Sequence, residues 1–461
     1  MSEEEAIALL TENASLRATI ASLVAELRAA NELTAQLQAR ILELEQGPPT
    51  PPSFVKPNKP APPADRPPRR KRAPQHNNAR RLQLPTQVRQ VALANCPDCS
   101  YRLYGASIAR KRQLLDLPPP QPVEVIEYQL IKRYCPACAK WHEPKLSLPG
   151  LLVGQSRFSG RIMALVAWLR TSLRLPLRQI QQYLAQMHQL SISVGEISAM
   201  LARVAEQGAG AAAALKECIR QSKVIYMDET GWRESGQNGY VWVMSNGAGE
   251  RYFEYHHSRA GAVARSMSGT HYKGTLCSDF YAAYNEHACR HQRCWAHLLR
   301  DLAALEEQVG PSNAEIVEWI KEVVGLYKLG QELDGRSPPP SQQQREVLAV
   351  QLRARAHELG LKWATETGHA AQALCKRLLR HEGELFEFVR QAEVGATNNE
   401  AERAIRPLAV ARKISGGSRS AEGSKTRMRL QSLFSSWHGR GLNPLEECLR
   451  MFGMQTPLPQ V

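Results

Sequence analysis

The first part of the chain follows an apolar pattern that repeats every seven residues. Over residues 9–44, one row of positions is almost entirely leucine, and a second row, four positions later, begins with Asn13. These rows are the d and a positions of a coiled coil, and an asparagine at an a position favours two parallel strands in one register. Gly47 and the prolines after it end the helix. We therefore predict a homodimeric coiled coil over residues 1–47; the alternative is an amphipathic helix packed on its own domain.

A helical period also fits residues 161–207. Pro176 begins the second of three predicted helices, and Ser193 with Glu196 forms a capping box at the start of the third. Three helices in this layout are typical of a helix-turn-helix, in which the last helix enters the major groove of DNA. Many small helical bundles share the pattern, and that alternative stays open. We predict a helix-turn-helix DNA-binding domain over residues 151–215.

The period then changes to two, which predicts four strands between residues 223 and 279. Two of these strands end in a carboxylate, Asp228 and Asp279. Carboxylates at the ends of adjacent strands can converge on a divalent metal, and hard oxygen ligands suit Mg²⁺. Two such ions would clamp the attacking and leaving oxygens of a phosphodiester. Two aspartates alone are weak evidence, because a cap or a surface turn explains them more often.

A third carboxylate strengthens this interpretation. Residues 397–407 predict the start of a helix on which Glu402 and Arg406 lie one turn apart, on the same face. A metal-binding carboxylate would then lie beside a cation that can hold a DNA phosphate. The preceding residues 303–385 are helical by pattern, with a break at three consecutive prolines, 338–340.

Two Cys-x-x-Cys motifs predict a metal site between the coiled coil and the three helices. They are Cys96-Pro97-Asp98-Cys99 and Cys135-Pro136-Ala137-Cys138. A two-residue spacer lets a tight turn present both thiolates to one ion, and two such turns complete a four-cysteine zinc site. The alternating residues 123–128 predict a strand of a zinc ribbon. We predict one structural Zn²⁺ in residues 86–150, with His142 as an alternative ligand and redox dithiols as the competing explanation.

The charge of the chain is unevenly spread. The 461 residues hold 59 Lys and Arg against 44 Asp and Glu, and the net charge of +15 favours nucleic acid or an anionic membrane as a partner. Residues 48–85 are rich in proline and basic residues and predict a semi-extended linker, which either contacts phosphates or serves only for solubility. The candidate DNA contacts are Arg69, Arg70, Lys71 and Arg72 in this linker and Arg406, Arg412 and Lys413 beyond Glu402.

Several classes of protein are excluded by the sequence. No apolar run approaches the length that a membrane span needs, and the acidic start is unlike a secretory signal. Ten cysteines in an apparently cytosolic chain do not indicate a disulfide framework. We expect a cytoplasmic, nucleoid-associated protein without a membrane partner.

Four motifs together resemble the IS66 family of insertion-sequence transposases. They are residues 227–232 (MDETGW), 278–285 (SDFYAAYN), 294–302 (CWAHLLRDL) and 398–403 (NNEAER). The order of coiled coil, zinc module and helix-turn-helix before them also matches that family. The resemblance implies an α/β RNase H-like catalytic core of the DDE type over residues 216–440, with a helical insertion at about 303–385. A C-terminal helix and tail over 441–461 complete this multidomain architecture.

The resemblance also assigns residues. It gives Asp228 as the first Asp, Asp279 as the second and Glu402 as the Glu, with Glu400 as the alternative third carboxylate. Cys294-x-x-His297 resembles a Cys-x-x-His element found between the second Asp and the Glu in several DDE transposases. Its alternative is a packed cysteine and a helix-start histidine, and we assign no metal there because no second pair lies close by in the sequence.

We therefore expect a transposase that binds the terminal inverted repeats of a mobile element and performs Mg²⁺-dependent strand cleavage and strand transfer. Two catalytic Mg²⁺, one structural Zn²⁺, double-stranded DNA at the element ends and target, and a second copy of the chain are the expected cofactors and partners. Accessory transposition proteins are candidate partners. The competing class is a non-catalytic DNA-binding regulator or decayed transposase, and a metal-dependent hydrolase on the same fold is a third.

Overall fold

A computed structural model describes residues 3–45, 84–108, 110–148, 151, 156–311, 313–335 and 337–454 of the chain. The chain divides into two compact units, Met1–Asp116 and Leu117–Val461. Most of the predicted linker, including Arg69, Arg70, Lys71 and Arg72, lies outside the described residues.

The first unit contains one long helix, α1 (Glu3–Glu45). Its predicted heptad positions between residues 12 and 38 are exposed, with Ile20 and Leu27 exposed by 60% and 63%. Exposed apolar side chains at both a and d positions form a stripe along the helix. Such a stripe is the surface that the predicted coiled coil would bury, and the coiled coil stays a prediction.

The first unit also contains the turn of the first cysteine pair. Cys96 N–H donates to the Tyr101 carbonyl at 2.8 Å, and the Cys96 carbonyl accepts from Ser100 N–H at 2.9 Å. Ser100, directly after Cys99, has a left-handed φ of 61°. A tight turn therefore brings both thiols of this pair to one side, as the two-residue spacer predicts.

The second unit begins with an equivalent turn between two short antiparallel strands, β1 (Arg133–Cys135) and β2 (Lys140–His142). Ala139, directly after Cys138, repeats the left-handed φ at 48°. The predicted strand over residues 123–128 is wrong, because these residues form no strand. An alternating pattern makes a strand only beside a partner, and the backbone N–H of Val123 instead donates to the His188 carbonyl at 2.9 Å.

The three helices predicted in residues 161–207 are present. They are α2 (Gly160–Thr171), α3 (Leu177–His188) and α4 (Val194–Gln207), followed by α5 (Ala209–Arg220). Pro176 precedes α3 directly, and the Ser193 hydroxyl caps α4 by accepting from Glu196 N–H. The Glu196 carboxylate pairs with Arg203, at 3.0 Å, so the cap on α4 is made by its serine.

A five-stranded mixed sheet follows these helices. Its strands are β3 (Val224–Glu234), β4 (Gln237–Ser245), β5 (Arg251–His256), β6 (Thr275–Ser278) and β7 (Arg290–Arg293), and their order across the sheet is β5-β4-β3-β6-β7. The first three pair antiparallel, whereas β6 and β7 run parallel to β3. The four predicted strands are all present. A short helix, α6 (Gly261–Ser268), links the antiparallel and parallel halves.

A group of helices covers one face of the sheet. These are α7 (Trp295–Val309), α8 (Ala314–Asp334), α9 (Gln342–Leu361), α10 (Gln372–His381), α11 (Glu387–Arg390) and α12 (Asn399–Ser415). Trp295, Trp319 and Trp363 lie in one apolar core with Val241 and Phe253 of the sheet. The predicted insertion is therefore helical, and the prolines at 338–340 do separate two of its helices.

The last two helices pack between the sheet and the helices α2, α3 and α4. They are α13 (Ala421–Gly439) and α14 (Pro444–Met451). Ser432 and Ser436 of α13 accept hydrogen bonds from Phe253 N–H and Arg251 N–H at 2.9 and 2.8 Å, which satisfies backbone donors of the edge strand β5. The opposite face of α13 shares an apolar core with α2, α3, α4 and α14.

Within the described part of the chain, no helix has both the length and the apolar character that crossing a bilayer requires.

Candidate functional site

The register of the parallel strands brings two of the predicted carboxylates together. Tyr226 of β3 lies opposite Cys277 of β6, so Asp228 and Asp279 each lie two residues further along. Asp279 directly follows β6, as predicted, but the predicted strand end at Asp228 is wrong, because β3 continues to Glu234 in its pairing with β4. The Glu229 N–H donates to Asp228 Oδ1, and the Tyr281 N–H donates to Asp279 Oδ1, each at 2.9 Å. Both side chains are thereby oriented by their own local backbone.

The start of α12 is fastened to the same edge. Asn398, directly before the helix, donates from its side chain to the Met227 carbonyl at 2.8 Å and from its backbone to Cys294 Sγ at 3.1 Å. The Gly395 N–H donates to the Tyr226 hydroxyl at 3.0 Å. These bonds hold the first turn of α12, and with it Glu402, beside the residue that precedes Asp228.

The far end of α12 is fastened to β3 as well. Ser418 N–H donates to the Arg233 carbonyl at 2.8 Å, and Gly417 (φ 117°) approaches that carbonyl so closely that a Cβ would lie 2.1 Å from it. Arg412 donates to the Gly231 carbonyl in between. The helix therefore runs along β3 with both ends fixed, and the position of Glu402 is set by the sheet.

The pKa of Asp228 is raised by its surroundings. Burial and the charges of Glu229, Asp279 and Glu402 together raise this pKa to about 7, although the hydrogen bond from Glu229 N–H lowers it. Like charges that share a buried site resist ionisation together. A divalent cation among these oxygens would relieve that repulsion, and hard oxygen ligands are those that Mg²⁺ prefers.

Glu400 and Glu402 have different surroundings. Glu400 pairs with Arg251 of β5, at 2.9 Å between Nη2 and Oε1. Glu402 has a buried oxygen, Oε1, without a hydrogen-bond partner among the described residues. A carboxylate already paired with an arginine is a poorer metal ligand than one whose contact is a histidine at 3.7 Å, and this favours Glu402 as the third carboxylate.

A fourth carboxylate was not identified from the sequence. Glu229 accepts a hydrogen bond from Arg259 Nε at 2.9 Å and another from the Tyr284 hydroxyl. Its side chain is 2% exposed. Burial raises its pKa, while Tyr284 and Arg259 lower it. The sequence could have drawn attention to Glu229 because it directly follows Asp228. Nothing in the sequence indicated that Arg259 would be its partner.

Arg293 was also missed. Its fully buried guanidinium donates to the Asp279 carbonyl at 2.9 Å and to the Ser278 hydroxyl at 3.2 Å. The Nε of Arg293 pairs with Glu384 at 2.6 Å. A hydrogen bond with His381 and the charge of Arg293 outweigh burial and lower the pKa of Glu384 to about 2. Arg293 therefore fixes the backbone that carries Asp279.

The Cys-x-x-His element lies against the third carboxylate. One ligand atom from each of Cys294, His297 and Glu402 lies within 4.8 Å of the others, and His297 Nδ1 is 3.7 Å from Glu402 Oε1. The sequence offered no second ligand pair near this element. The structure supplies a third ligand from α12, far along the chain.

The candidate DNA contacts beyond Glu402 differ in their surroundings. Arg406 and Lys413 are exposed, while Arg412 is partly buried and bonded to the backbone of β3. The sequence alone did not distinguish them.

The two cysteine pairs lie in different units of the structure, Cys96 and Cys99 in the first, Cys135 and Cys138 in the second. Hydrogen bonds from the backbone of Asp98 and Cys99 lower the pKa of Cys96. Corresponding bonds from Cys138 and Ala137 lower the pKa of Cys135. Each pair thus presents an ionisable thiol of the kind that metals bind.

Comparison with known proteins identifies the family. The sequence profile of the transposase IS66 family matches residues 155–426. Similar curated sequences come from Sinorhizobium fredii strain NGR234 and are uncharacterized proteins. Protein y4qI is 26% identical over 262 residues, 50% of this chain and 47% of its own length. Protein y4jD is 28% identical over 186 residues, 38% of this chain and 36% of its own. The chain thus aligns with less than half the length of these two relatives. Because the profile covers more than half of the chain and includes Asp228, Asp279 and Glu402, the chain belongs to the IS66 family of transposases.

Proposed function

We propose that this protein is a DNA transposase that binds the terminal inverted repeats of an insertion sequence and catalyses Mg²⁺-dependent strand cleavage and strand transfer. One observation carries the proposal: Asp228 and Asp279 lie in register on neighbouring parallel strands, and the helix that carries Glu402 directly follows Asn398, which is bonded to the residue before Asp228. The competing function is a regulator that binds element ends without cutting them. Clustered carboxylates repel one another and lower the stability of the fold. A protein that only binds DNA would not need them.

The strand order supports an RNase H-like core of the DDE type. Three antiparallel strands, β3 to β5, lie beside two strands parallel to β3, and the two aspartates lie on β3 and directly after β6. These adjacent central strands and the helix after the insertion supply all three carboxylates. This is the arrangement that the family resemblance implies.

The residues present fit a pair of Mg²⁺ ions. The donors are carboxylate oxygens, Asp228 resists ionisation without a cation, and Glu402 Oε1 is unpartnered among the described residues. Bound there, the ions would activate a water or a DNA 3′-hydroxyl and stabilise the leaving oxygen. Asp228, Asp279 and Glu402 would hold them, Arg293 and Asn398 would keep the ligands in place, and Arg406, exposed one turn after Glu402, would contact a phosphate.

Recognition of the element ends is proposed for α2–α4 and the zinc module. The described residues 84–108 and 110–148 include no buried residue, so this segment lacks an apolar core of its own. A structural Zn²⁺ held by Cys96, Cys99, Cys135 and Cys138 would supply the missing folding free energy. The left-handed residues Ser100 and Ala139 support this, because such backbone persists where surroundings or a ligand impose it.

The experiment that tests the proposal is nicking of DNA carrying both flanks of the coding region, with and without Mg²⁺. We expect wild type to nick in Mg²⁺, and Asp228→Asn, Asp279→Asn and Glu402→Gln each to lose roughly 10³-fold or more in rate. The matched control is Glu400→Gln, which removes a carboxylate of the same helix turn and should keep most of the activity. Equal nicking by wild type and Asp228→Asn would overturn the catalytic assignment. DNA binding without nicking by wild type would favour the regulator.

A further inference from the structure

Beyond the hard-metal cluster, one group of side chains has the chemistry of a softer metal site. A thiol, an imidazole and a carboxylate approach each other where α7 begins and α12 passes: Cys294, His297 and Glu402. We propose that these three residues form a binding site for a thiophilic divalent ion of the Zn²⁺ class, and that its occupancy withdraws Glu402 from Asp228 and Asp279. The binding part stands alone; the consequence for activity rests on the proposed function.

The spacing of the ligand atoms fits a tetrahedral ion. His297 Nδ1 and Glu402 Oε1 are 3.7 Å apart. A tetrahedral Zn²⁺ with bonds of about 2.1 Å separates neighbouring ligand atoms by roughly 3.4 Å. All three atoms lie within 4.8 Å of one another, so movements of about an ångström would close the site. The fourth position would be open to water.

Two of the atoms are buried and unpartnered. Neither His297 Nδ1 nor Glu402 Oε1 has a hydrogen-bond partner among the described residues, although both are shielded from solvent. A buried polar atom without a partner costs about 1–3 kcal/mol. Two such atoms that face one another at 3.7 Å indicate a missing ligand between them.

Backbone donors converge on the cysteine. Burial raises the pKa of the Cys294 thiol, and the backbone opposes this: Asn398 N–H donates to Cys294 Sγ at 3.1 Å, and the backbone of His297 and Ala296 donates to it as well. Amide donors that converge on a sulfur stabilise a metal-bound thiolate. Cys294 and His297 are three residues apart at the first turn of α7, which places both on one face.

The ligand set selects the ion. Thiolate and imidazole ligands favour Zn²⁺ over Mg²⁺, which prefers carboxylate oxygens and water. Glu402 is common to both groups, because it is the third carboxylate of the proposed Mg²⁺ site and its helix directly follows Asn398, which is bonded to the Met227 carbonyl directly before Asp228. An ion held by Cys294 and His297 would draw Glu402 Oε1 toward them, and the carboxylate cluster would lose its third ligand.

The test is the zinc content of the full-length chain after equilibration with Zn²⁺ and removal of free metal. We expect Cys294→Ser and Glu402→Gln each to hold about one zinc fewer per chain than wild type, whatever the other cysteine pairs retain. The matched control is Cys448→Ser, since Cys448 is as buried as Cys294 but lies in the apolar core that α13 shares with α2, α3 and α4. Glu402→Gln keeps the side-chain shape, which keeps the test valid if Cys294→Ser fails to fold. Equal zinc in wild type and both variants would overturn the site.

A second measurement separates this proposal from the proposed function. If both hold, Zn²⁺ inhibits Mg²⁺-dependent nicking by wild type, and Cys294→Ser requires about 10–100-fold more Zn²⁺ for the same fractional loss of its own activity. Zinc bound at the site of a wild type that never nicks would contradict the proposed function and leave the site standing. Nicking with unchanged zinc sensitivity in Cys294→Ser would contradict the withdrawal of Glu402 from the carboxylate cluster and leave the proposed function standing. A simple His297–Glu402 hydrogen bond predicts that unchanged sensitivity.

Discussion

Burial and the charges of three neighbouring carboxylates raise the pKa of Asp228 to about 7. An acid whose pKa is raised on folding contributes stability below its unfolded pKa, and this contribution is lost as the pH rises through the folded pKa. The window here runs from about pH 4 to about pH 7. The residue that the proposed chemistry needs most therefore weakens the metal-free fold at neutral pH.

A stability measurement can test this conflict. We expect metal-free Asp228→Asn to be more stable than metal-free wild type at pH 8, by about 1–3 kcal/mol, because the buried charge is gone. At pH 3 the difference should largely disappear, because Asp228 is then mostly protonated in both the folded and the unfolded state. Denaturant unfolding at both pH values, in chelator, measures it. A difference that does not change with pH would contradict the assigned repulsion.

At the scale of elements, α12 is held by bonds at its start, middle and end, and the start decides where Glu402 lies. Asn398 is 1% exposed and bonds to the Met227 carbonyl. We expect Asn398→Ala to cost about 1–3 kcal/mol of stability and to lower the nicking rate further than the stability loss explains. Its neighbour Asn399 is partly exposed, and Asn399→Ala is the matched control. Equal rates for the two variants would show that Asn398 does not position Glu402.

Elements with a local signal were predictable from the sequence. The cap Ser193, the start of α3 after Pro176 and the two strands that lead to Asp228 and Asp279 follow from short-range patterns. The prediction of a strand at 123–128 was wrong because alternating apolar and polar residues allow strand pairing but do not show that a partner strand is present.

The contacts that complete the site were beyond the sequence. Arg293 joins Asp279 to Glu384, and Arg251 joins Glu400 to the edge strand. Each of these contacts links positions far apart in the chain, and the tertiary fold determines which charged side chains form a pair. For the same reason, the sequence could not choose between Glu400 and Glu402, nor add Glu402 to the Cys-x-x-His element.

At the scale of the whole molecule, the exposed stripe of α1 bears on assembly, because the proposed reaction would join two element ends and would need two protomers. Leu16 and Leu23 occupy d positions and are exposed by 56% and 57%. We expect Leu16→Glu/Leu23→Glu to convert a dimer into a monomer in light scattering, since buried like charges would face each other across the seam. The control is Ala18→Glu/Ala25→Glu, on the outer face of the same heptads. A wild type that is already monomeric, or a double leucine variant that stays dimeric, would contradict the coiled coil.

The core that α13 shares with α2, α3 and α4 has a consequence for where the DNA would be cut. The other side of α13 is bonded to β5, which lies in the same sheet as Asp228. Helix α13 therefore connects α2–α4 to the sheet that carries the carboxylates. A duplex gripped by α2–α4, as proposed, would meet the carboxylates at a constant offset. The protein would then work as a ruler: the cut site would be counted in base pairs from the recognised sequence, and the bases at the cut itself would need no reading.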